Sequence, residues 1–310
     1  MFKNTFWLLT LLFVFIACNQ SNSSSSKVEF TPHSDGSSST ANAYEVIYSL
    51  YLPTDIVQLF EETGTGFNPD LLLPLDRISF YENPEQMALL MGSLGVDLSY
   101  CKLFEMVLES AEYYKQIELL ADKLDLPPEI FEKSSTDLEQ YINRPDSLTE
   151  LIDQVYSDVD RYFKESNQES LAFLSLLGGW LETMYIGVRI YQEHSILEMG
   201  DRILQQKYAL NNLTGLLANY QESLMVRRYM HPINKLKKAY EDVEIRYSQE
   251  GFKMSKNDRT FRATVSEIKY EPETLENICQ VITRVRAEII DSPRGKPRGT
   301  FSSAKPIIDP

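Results

Sequence analysis

The sequence predicts an all-α protein, a multi-helix bundle of seven or eight helices with one short strand near residues 260–265. Three observations lead to this fold class. Apolar residues recur at steps of three and four through most of residues 44–292, which is typical of amphipathic helices. Proline, asparagine and aspartate stand where several of these segments begin, as helix starts favour. Apolar and polar residues alternate only briefly, for example around Phe261, Ala263 and Val265, and that alternation predicts the strand.

The N-terminal half of this domain contains the clearest helix start. A first helix is predicted over residues 53–64, and a loop with one short helical piece follows it. Asn83 and Pro84 then mark a start, because asparagine caps free amide groups and proline fits the first turn. From there an apolar stripe continues to Ile117 and predicts one long amphipathic helix, kinked at its two glycines.

A pair of prolines at 127 and 128 ends that helix, and further helices are predicted beyond it. One short helix runs to about residue 142. The later starts are predicted at Asp146, Asn167, Ser195 and Pro272. Residues 230–247 are also predicted as helix, with a bend at Pro232. The tail, 293–310, is rich in proline, glycine and basic residues and is predicted to be disordered.

The first 43 residues predict export and a lipid anchor. The apolar run of residues 6–17 is shorter than the about twenty residues that span a bilayer, and it fits the core of a secretory signal. Phe15, Ile16, Ala17 and Cys18 resemble the lipobox of bacterial lipoproteins, whose cysteine receives a diacylglycerol before the signal is cut. We therefore predict a signal peptide over 1–17 and a lipidated Cys18. An ordinary secretory signal that contains a cysteine is the alternative.

A tether and an address follow from the same stretch. Residues 18–43 are rich in serine and poor in apolar residues, so they predict a flexible tether that precedes a helical domain at 44–292. The resemblance to lipoproteins implies a palmitate-type acyl anchor and attachment to the cell envelope. Asn19 replaces the Asp that retains some lipoproteins at the inner membrane, which favours the outer membrane, facing the periplasm.

Charge excludes one class of partner and leaves a second question open. The formal net charge of −15 argues against nucleic-acid binding, which needs clustered cations. The charge is uneven, because residues 18–226 are acidic and residues 227–305 are net basic. The basic cluster either pairs with the acidic part or faces anionic lipid or a phosphate-bearing glycan. Its members are Arg227, Arg228, Lys235, Lys237 and Lys238.

Four stretches carry a family resemblance. The succession VDLSYCKLFE, ESAEYYKQIELLADKL, DSLTELI and AFLSLLGGWLETMYIG resembles a functionally unassigned family of helical exported bacterial proteins. The resemblance covers roughly residues 44–245. It implies a helical domain and no catalytic residues.

The most apolar segment of the domain, residues 171–190, predicts a central helix and contains the candidate site. Gly179, Glu182 and Arg189 fall on one narrow stripe of this helix, with Trp180 and Tyr185 flanking it. One interpretation is a polar pocket wall. The other is structural: the glycine admits a neighbouring helix, and Glu182 finds a buried partner.

The sequence predicts no catalytic residues, no metal site and no cofactor. The chain has three histidines, His33, His194 and His231, and none has the spacing of a metal-ligand motif. Cys101 and Cys279 lie on apolar stripes, and a disulfide between them stays an open alternative to two free thiols. Two functions remain: a non-enzymatic binding or scaffolding module for an unknown envelope protein or glycan, or a hydrolase that cleaves envelope glycans with paired carboxylates.

Overall fold

The computed structural model describes residues 65–131, 165–247 and 271–290, the backbone of 27–30, 253–255 and 260–270, and a few positions between 155 and 163. Several predictions lie outside these residues. They are the signal peptide 1–17, Cys18, the helix at 53–64, most of the short helix that runs to about residue 142, the helix start at Asp146 and the tail 293–310.

The described chain is mostly helical, which confirms the predicted fold class. It contains seven α-helices: α1 (Pro84–Leu103), α2 (Val107–Lys123), α3 (Glu169–His194), α4 (Leu197–Gln205), α5 (Lys207–Leu217), α6 (Leu224–Ala239) and α7 (Pro272–Ile289). Short 3-10 helices at Pro69–Leu71 and Leu75–Phe80 precede α1, and a third at Ala218–Tyr220 lies between α5 and α6.

Asparagine and proline start α1 as the sequence predicts. The side chain of Asn83 accepts hydrogen bonds from the amide groups of Glu85, at 2.9 Å, and Gln86, at 3.3 Å. Pro84 occupies the first turn, where an amide group would have no helical acceptor. Pro272 opens α7 in the same way.

The predicted long helix after Pro84 is wrong, because the chain breaks it into α1 and α2. Glu105 adopts a left-handed backbone with φ of 56°. The amide of Met106 then donates to the carbonyl of Cys101 at 2.9 Å, the reversed bond of a Schellman helix end. Apolar spacing continues across the break, which is why periodicity alone did not show it.

The centre of the fold is the contact between α1 and α3. Glycines permit it: a Cβ on Gly178 would lie 1.8 Å from the carbonyl oxygen of Leu89, and one on Gly92 would lie 1.8 Å from that of Ser175. Such close backbone approach leaves no room for any side chain at either glycine. Around this contact α3 buries Trp180 and Phe173 completely.

An antiparallel sheet carries the connection from α6 to α7. β4 (Thr260–Lys269) pairs with β1 (Lys27–Phe30), β2 (Glu244–Tyr247) and β3 (Lys253–Ser255). β4 contains the predicted strand near 260–265 and extends it. β1 lies within the segment predicted as a flexible tether. The predicted helix over 230–247 is wrong at its end, because α6 stops at Ala239 and residues 244–247 form β2.

Candidate functional site

A buried ion pair joins the central helix to the last helix. Glu182 on α3 is fully buried, and Arg286 on α7 is 6% exposed. The guanidinium donates twice: Nε lies 3.0 Å from Oε2 and Nη2 lies 2.7 Å from Oε1. The ring of Tyr185 lies against the same guanidinium, with its centroid 4.4 Å from Cζ. This two-point geometry is the strongest form of an arginine–carboxylate contact, and it fixes α7 against α3.

A second buried carboxyl, that of Asp97 on α1, belongs to the same interior. Asp97 is fully buried, and its Oδ2 accepts the amide of Leu73 at 3.1 Å. The hydroxyl of Tyr113 donates to the carbonyl of Leu73 at 2.8 Å. The segment before α1 is therefore held through both the amide and the carbonyl group of one residue, Leu73. The other oxygen, Oδ1, has no hydrogen-bond partner among the described residues.

Burial and Glu182 together control the protonation of Asp97. Loss of solvent raises the pKa of Asp97 well above 3.8, and the negative charge of Glu182 raises it further. The Leu73 amide and the Arg286 guanidinium act in the opposite direction and do not overcome these two causes. Arg286 is already engaged by Glu182. The arrangement therefore favours a neutral Asp97 beside a closed ion pair.

Replacing Asp97 by asparagine should remove a pH-dependent loss of stability. The folded chain holds the Asp97 proton more tightly than the unfolded chain, so its contribution is complete below pH 3.8 and declines as the pH rises toward the raised pKa. We expect Asp97→Asn to raise the urea midpoint relative to wild type at neutral pH, and this advantage should shrink at acidic pH. A difference that grows toward acidic pH would contradict the assignment.

The predicted site residues do not all meet. Gly179, Trp180 and Glu182 are buried, Tyr185 is half-buried, and Arg189 is exposed. The indole of Trp180 donates to Oε1 of Gln206 at 3.3 Å and so is directed to α4 and α5. The arginine that pairs with Glu182 is Arg286, on α7, and not Arg189.

Sequence reasoning missed Asp97 and Arg286, although a signal for both exists. Asp97 stands between Leu94 and Leu98 on the apolar stripe of α1. Arg286 stands beside Ile282 and Ile289 in α7. A lone charge inside an apolar stripe indicates a buried partner, because an unpaired charge is costly to bury.

The two cysteines of the domain are separate, free and buried thiols. Loss of solvent raises the pKa of Cys101 to about 12, with Asp97 as the second cause. Burial likewise raises the pKa of Cys279 to about 12. Both thiols are therefore protonated at neutral pH and are poor nucleophiles.

Two further features bear on function. No group of three or more histidine, cysteine, aspartate or glutamate side chains suited to a metal ion occurs in the described part of the chain. In that same part, one helix, α3, is long and apolar enough to cross a membrane, and 94% of its apolar window is buried inside the fold. That burial is typical of the core helix of a soluble domain.

Comparison with family models, with curated proteins and with solved structures finds no match for this chain. The functional conclusion therefore depends on the residues themselves.

Proposed function

We propose that this chain is a lipid-anchored cell-envelope protein whose helical domain is a non-enzymatic binding or scaffolding module. The observation that carries the proposal is the N-terminal pattern: an apolar run that ends at Ala17 and Cys18, followed at once by a serine-rich segment. An apolar run of this length is typical of an export signal, and a cysteine at its end is typical of lipid attachment.

The anchor would hold the domain at a membrane surface. A diacylglycerol thioether brings two acyl chains, and two chains give stable anchoring where one chain is marginal. Asn19 favours the outer membrane, with the domain in the periplasm. The partners would be the membrane, through the lipid, and an envelope protein or glycan.

The interior charges support a structural role rather than catalysis. Glu182 is closed by two hydrogen bonds from Arg286, and Asp97 holds the backbone of Leu73. Both carboxyl groups are fully buried, so no glycan reaches them in this conformation. Both oxygens of Glu182 already accept hydrogen bonds that join α3 to α7, so this carboxylate is not available to act on a substrate.

The glycan hydrolase is the second candidate, and one observation favours it. Asp97 has a raised pKa and lies near the charged Glu182, a combination that glycosidases use for an acid and its partner. Catalysis would need a conformation that exposes both groups. Release of soluble fragments from isolated envelope glycan by wild type, lost in Asp97→Asn while the urea midpoint is kept or raised, would establish this candidate.

Labelled palmitate should enter the wild-type chain and should not enter Cys18→Ser. Cys18 is the predicted acceptor thiol, so the variant should also move from the membrane fraction to the soluble fraction. Autoradiography of both fractions measures the result.

Cys279→Ala is the matched control for this experiment, because it removes a buried thiol of the domain and leaves Cys18 in place. The control variant should still incorporate the label and should remain in the membrane fraction. Label that persists in Cys18→Ser would remove the lipoprotein assignment.

A further inference from the structure

Helix α6 has a composition unlike the rest of this acidic chain. Its sixteen residues include five arginines and lysines and no aspartate or glutamate. The whole protein carries a net charge of −15. A helix with five cations and no acid is therefore a local exception, and its position on the surface decides what it can contact.

The helix divides into a buried and an exposed face. Val226, Tyr229, Ile233 and Leu236 are buried against the core. The basic residues Arg227, Arg228, Lys235, Lys237 and Lys238 are all exposed. Leu224 lies on the exposed side at the start of the helix and is 75% exposed. Four of the basic residues share the side of the helix on which Leu224 lies, whereas Lys237 lies half a helical turn away from Arg228. We call Arg227, Arg228, Lys235 and Lys238, together with Leu224, the α6 surface.

Internal pairing accounts for little of this charge. Lys235 Nζ lies 3.6 Å from Glu288 Oε2, with both side chains partly exposed. Within the described residues, Arg227, Arg228, Lys237 and Lys238 form no ion pair. The Lys235 pair fastens α6 to α7 weakly, since exposed pairs contribute little.

The helix dipole explains the cations at the C-terminal end of α6 and not those at its N-terminal end. Lys237 and Lys238 stand in the last turn, where the carbonyl ends of the helix attract cations. Arg227 and Arg228 follow directly after a first turn that contains no acid. Cations gain nothing from the helix dipole at that end, so the dipole does not account for these two arginines.

We propose that the α6 surface docks onto the anionic headgroups of a lipid membrane. Arginine presents a planar group of donors that suits phosphate oxygens, and an exposed leucine beside arginines fits the boundary between headgroups and acyl chains. The acidic Glu222, Glu241 and Asp242 flank the helix in sequence and do not lie within it. At physiological salt, charges that lie farther away than about 8 Å are largely screened. The acidic residues elsewhere in the chain therefore oppose the binding of the α6 surface to an anionic membrane only weakly.

The inference rests on the proposed anchor only because the anchor would raise the local concentration of the domain at the membrane. A lipid on Cys18 would keep the domain near a membrane, which makes a weak surface contact effective. The contact would also orient the domain, with α6 toward the bilayer. The intrinsic affinity of the α6 surface does not depend on the anchor, so the two ideas fail separately.

The test uses the chain from residue 18 onward with Cys18→Ser, so that no lipid contributes. Its binding is measured by co-sedimentation with vesicles of phosphatidylglycerol and phosphatidylethanolamine, and with vesicles of phosphatidylcholine alone. We expect binding to the anionic vesicles only, and a decrease with added salt. Each basic residue near an anionic surface contributes about fivefold in affinity, so Arg227→Gln with Arg228→Gln should weaken binding by about 30-fold.

Two controls make the result specific. Lys115→Gln with Lys123→Gln removes the same charge from the exposed side of α2 and should leave binding unchanged. Arg227→Lys with Arg228→Lys keeps the charge and should keep most of the binding. Circular dichroism should show the same fold in every variant, since all four side chains are exposed.

Three outcomes would overturn the proposal. They are no binding to anionic vesicles, an equal loss in the Lys115 and Lys123 control, and release of bound protein by inorganic phosphate at constant ionic strength. The last result would assign the α6 surface to a soluble phosphate group instead of a membrane.

Discussion

Arg286→Met is expected to lower the free energy of unfolding by about 3–5 kcal/mol, because it leaves Glu182 charged and unpaired inside the core. Glu182 is fully buried, and both of its oxygens accept from Arg286. Methionine fills a similar space but donates no hydrogen bond. Urea unfolding at neutral pH, followed by circular dichroism, measures the loss.

Arg284→Met is the matched control, because Arg284 lies on the same helix and is exposed. Its effect should stay within about 0.5 kcal/mol. Glu182→Leu combined with Arg286→Met should recover much of the stability, since it removes both charges at once. Equal losses in Arg286→Met and Arg284→Met would show that the buried pair does not hold the fold.

Gly178→Ala is expected to destabilise the fold by at least about 1–3 kcal/mol, although alanine is the better helix former. The new methyl group would lie 1.8 Å from the Leu89 carbonyl oxygen, so α1 and α3 would have to separate. Backbone atoms cannot move aside as a side chain can. Thermal and urea unfolding both measure the effect.

Substitutions at two other glycines provide the comparison for Gly178→Ala. At Gly179 an added Cβ would be 3.4 Å from the Gly92 carbonyl oxygen, so Gly179→Ala should cost less, whereas a bulkier leucine there should overpack the contact. At Gly215 an added Cβ meets nothing within 4 Å, and Gly215→Ala should be neutral or stabilising by up to about 1 kcal/mol. Gly178→Ala with the stability of Gly215→Ala would contradict the tight contact.

The sequence predicted where helices start better than where they end. Asn83 and Pro272 are local signals, and both are confirmed. The end of α1 was not predicted because it lacks the usual glycine, whereas the prolines at 127 and 128 did indicate the end of α2. Glu105, Asp125 and Asn167 each take a left-handed backbone and close their helices with reversed hydrogen bonds. Nothing in a glutamate announces that conformation.

A left-handed residue also explains why two helices begin later than predicted. Asn167 and Ser195 were predicted to open helices, yet both have left-handed backbones, and α3 and α4 begin two residues after them, at Glu169 and Leu197. Strand β2 was missed despite a signal: Val243 and Ile245 turn inward while Glu244 is exposed, a period of two. The helical residues before it masked the change.

The candidate site was only half visible in the sequence. Glu182 stood out as a charge in an apolar helix, and a structural partner was one of the two interpretations. Which arginine meets it depends on how α7 packs on α3, and a single sequence does not encode that pairing as a local pattern. Arg189, on the same helix, proved to be exposed, and Arg286 occupies the place.

The mass of the N-terminal peptide tests the central claim, a lipid-anchored module, most directly. The chain is expressed in bacteria, extracted from membranes with detergent, digested and analysed by mass spectrometry. We expect the first peptide to begin at Cys18 and to carry the mass of a diacylglycerol thioether. An N-terminal peptide that begins elsewhere, or an unmodified Cys18 thiol, would contradict the account.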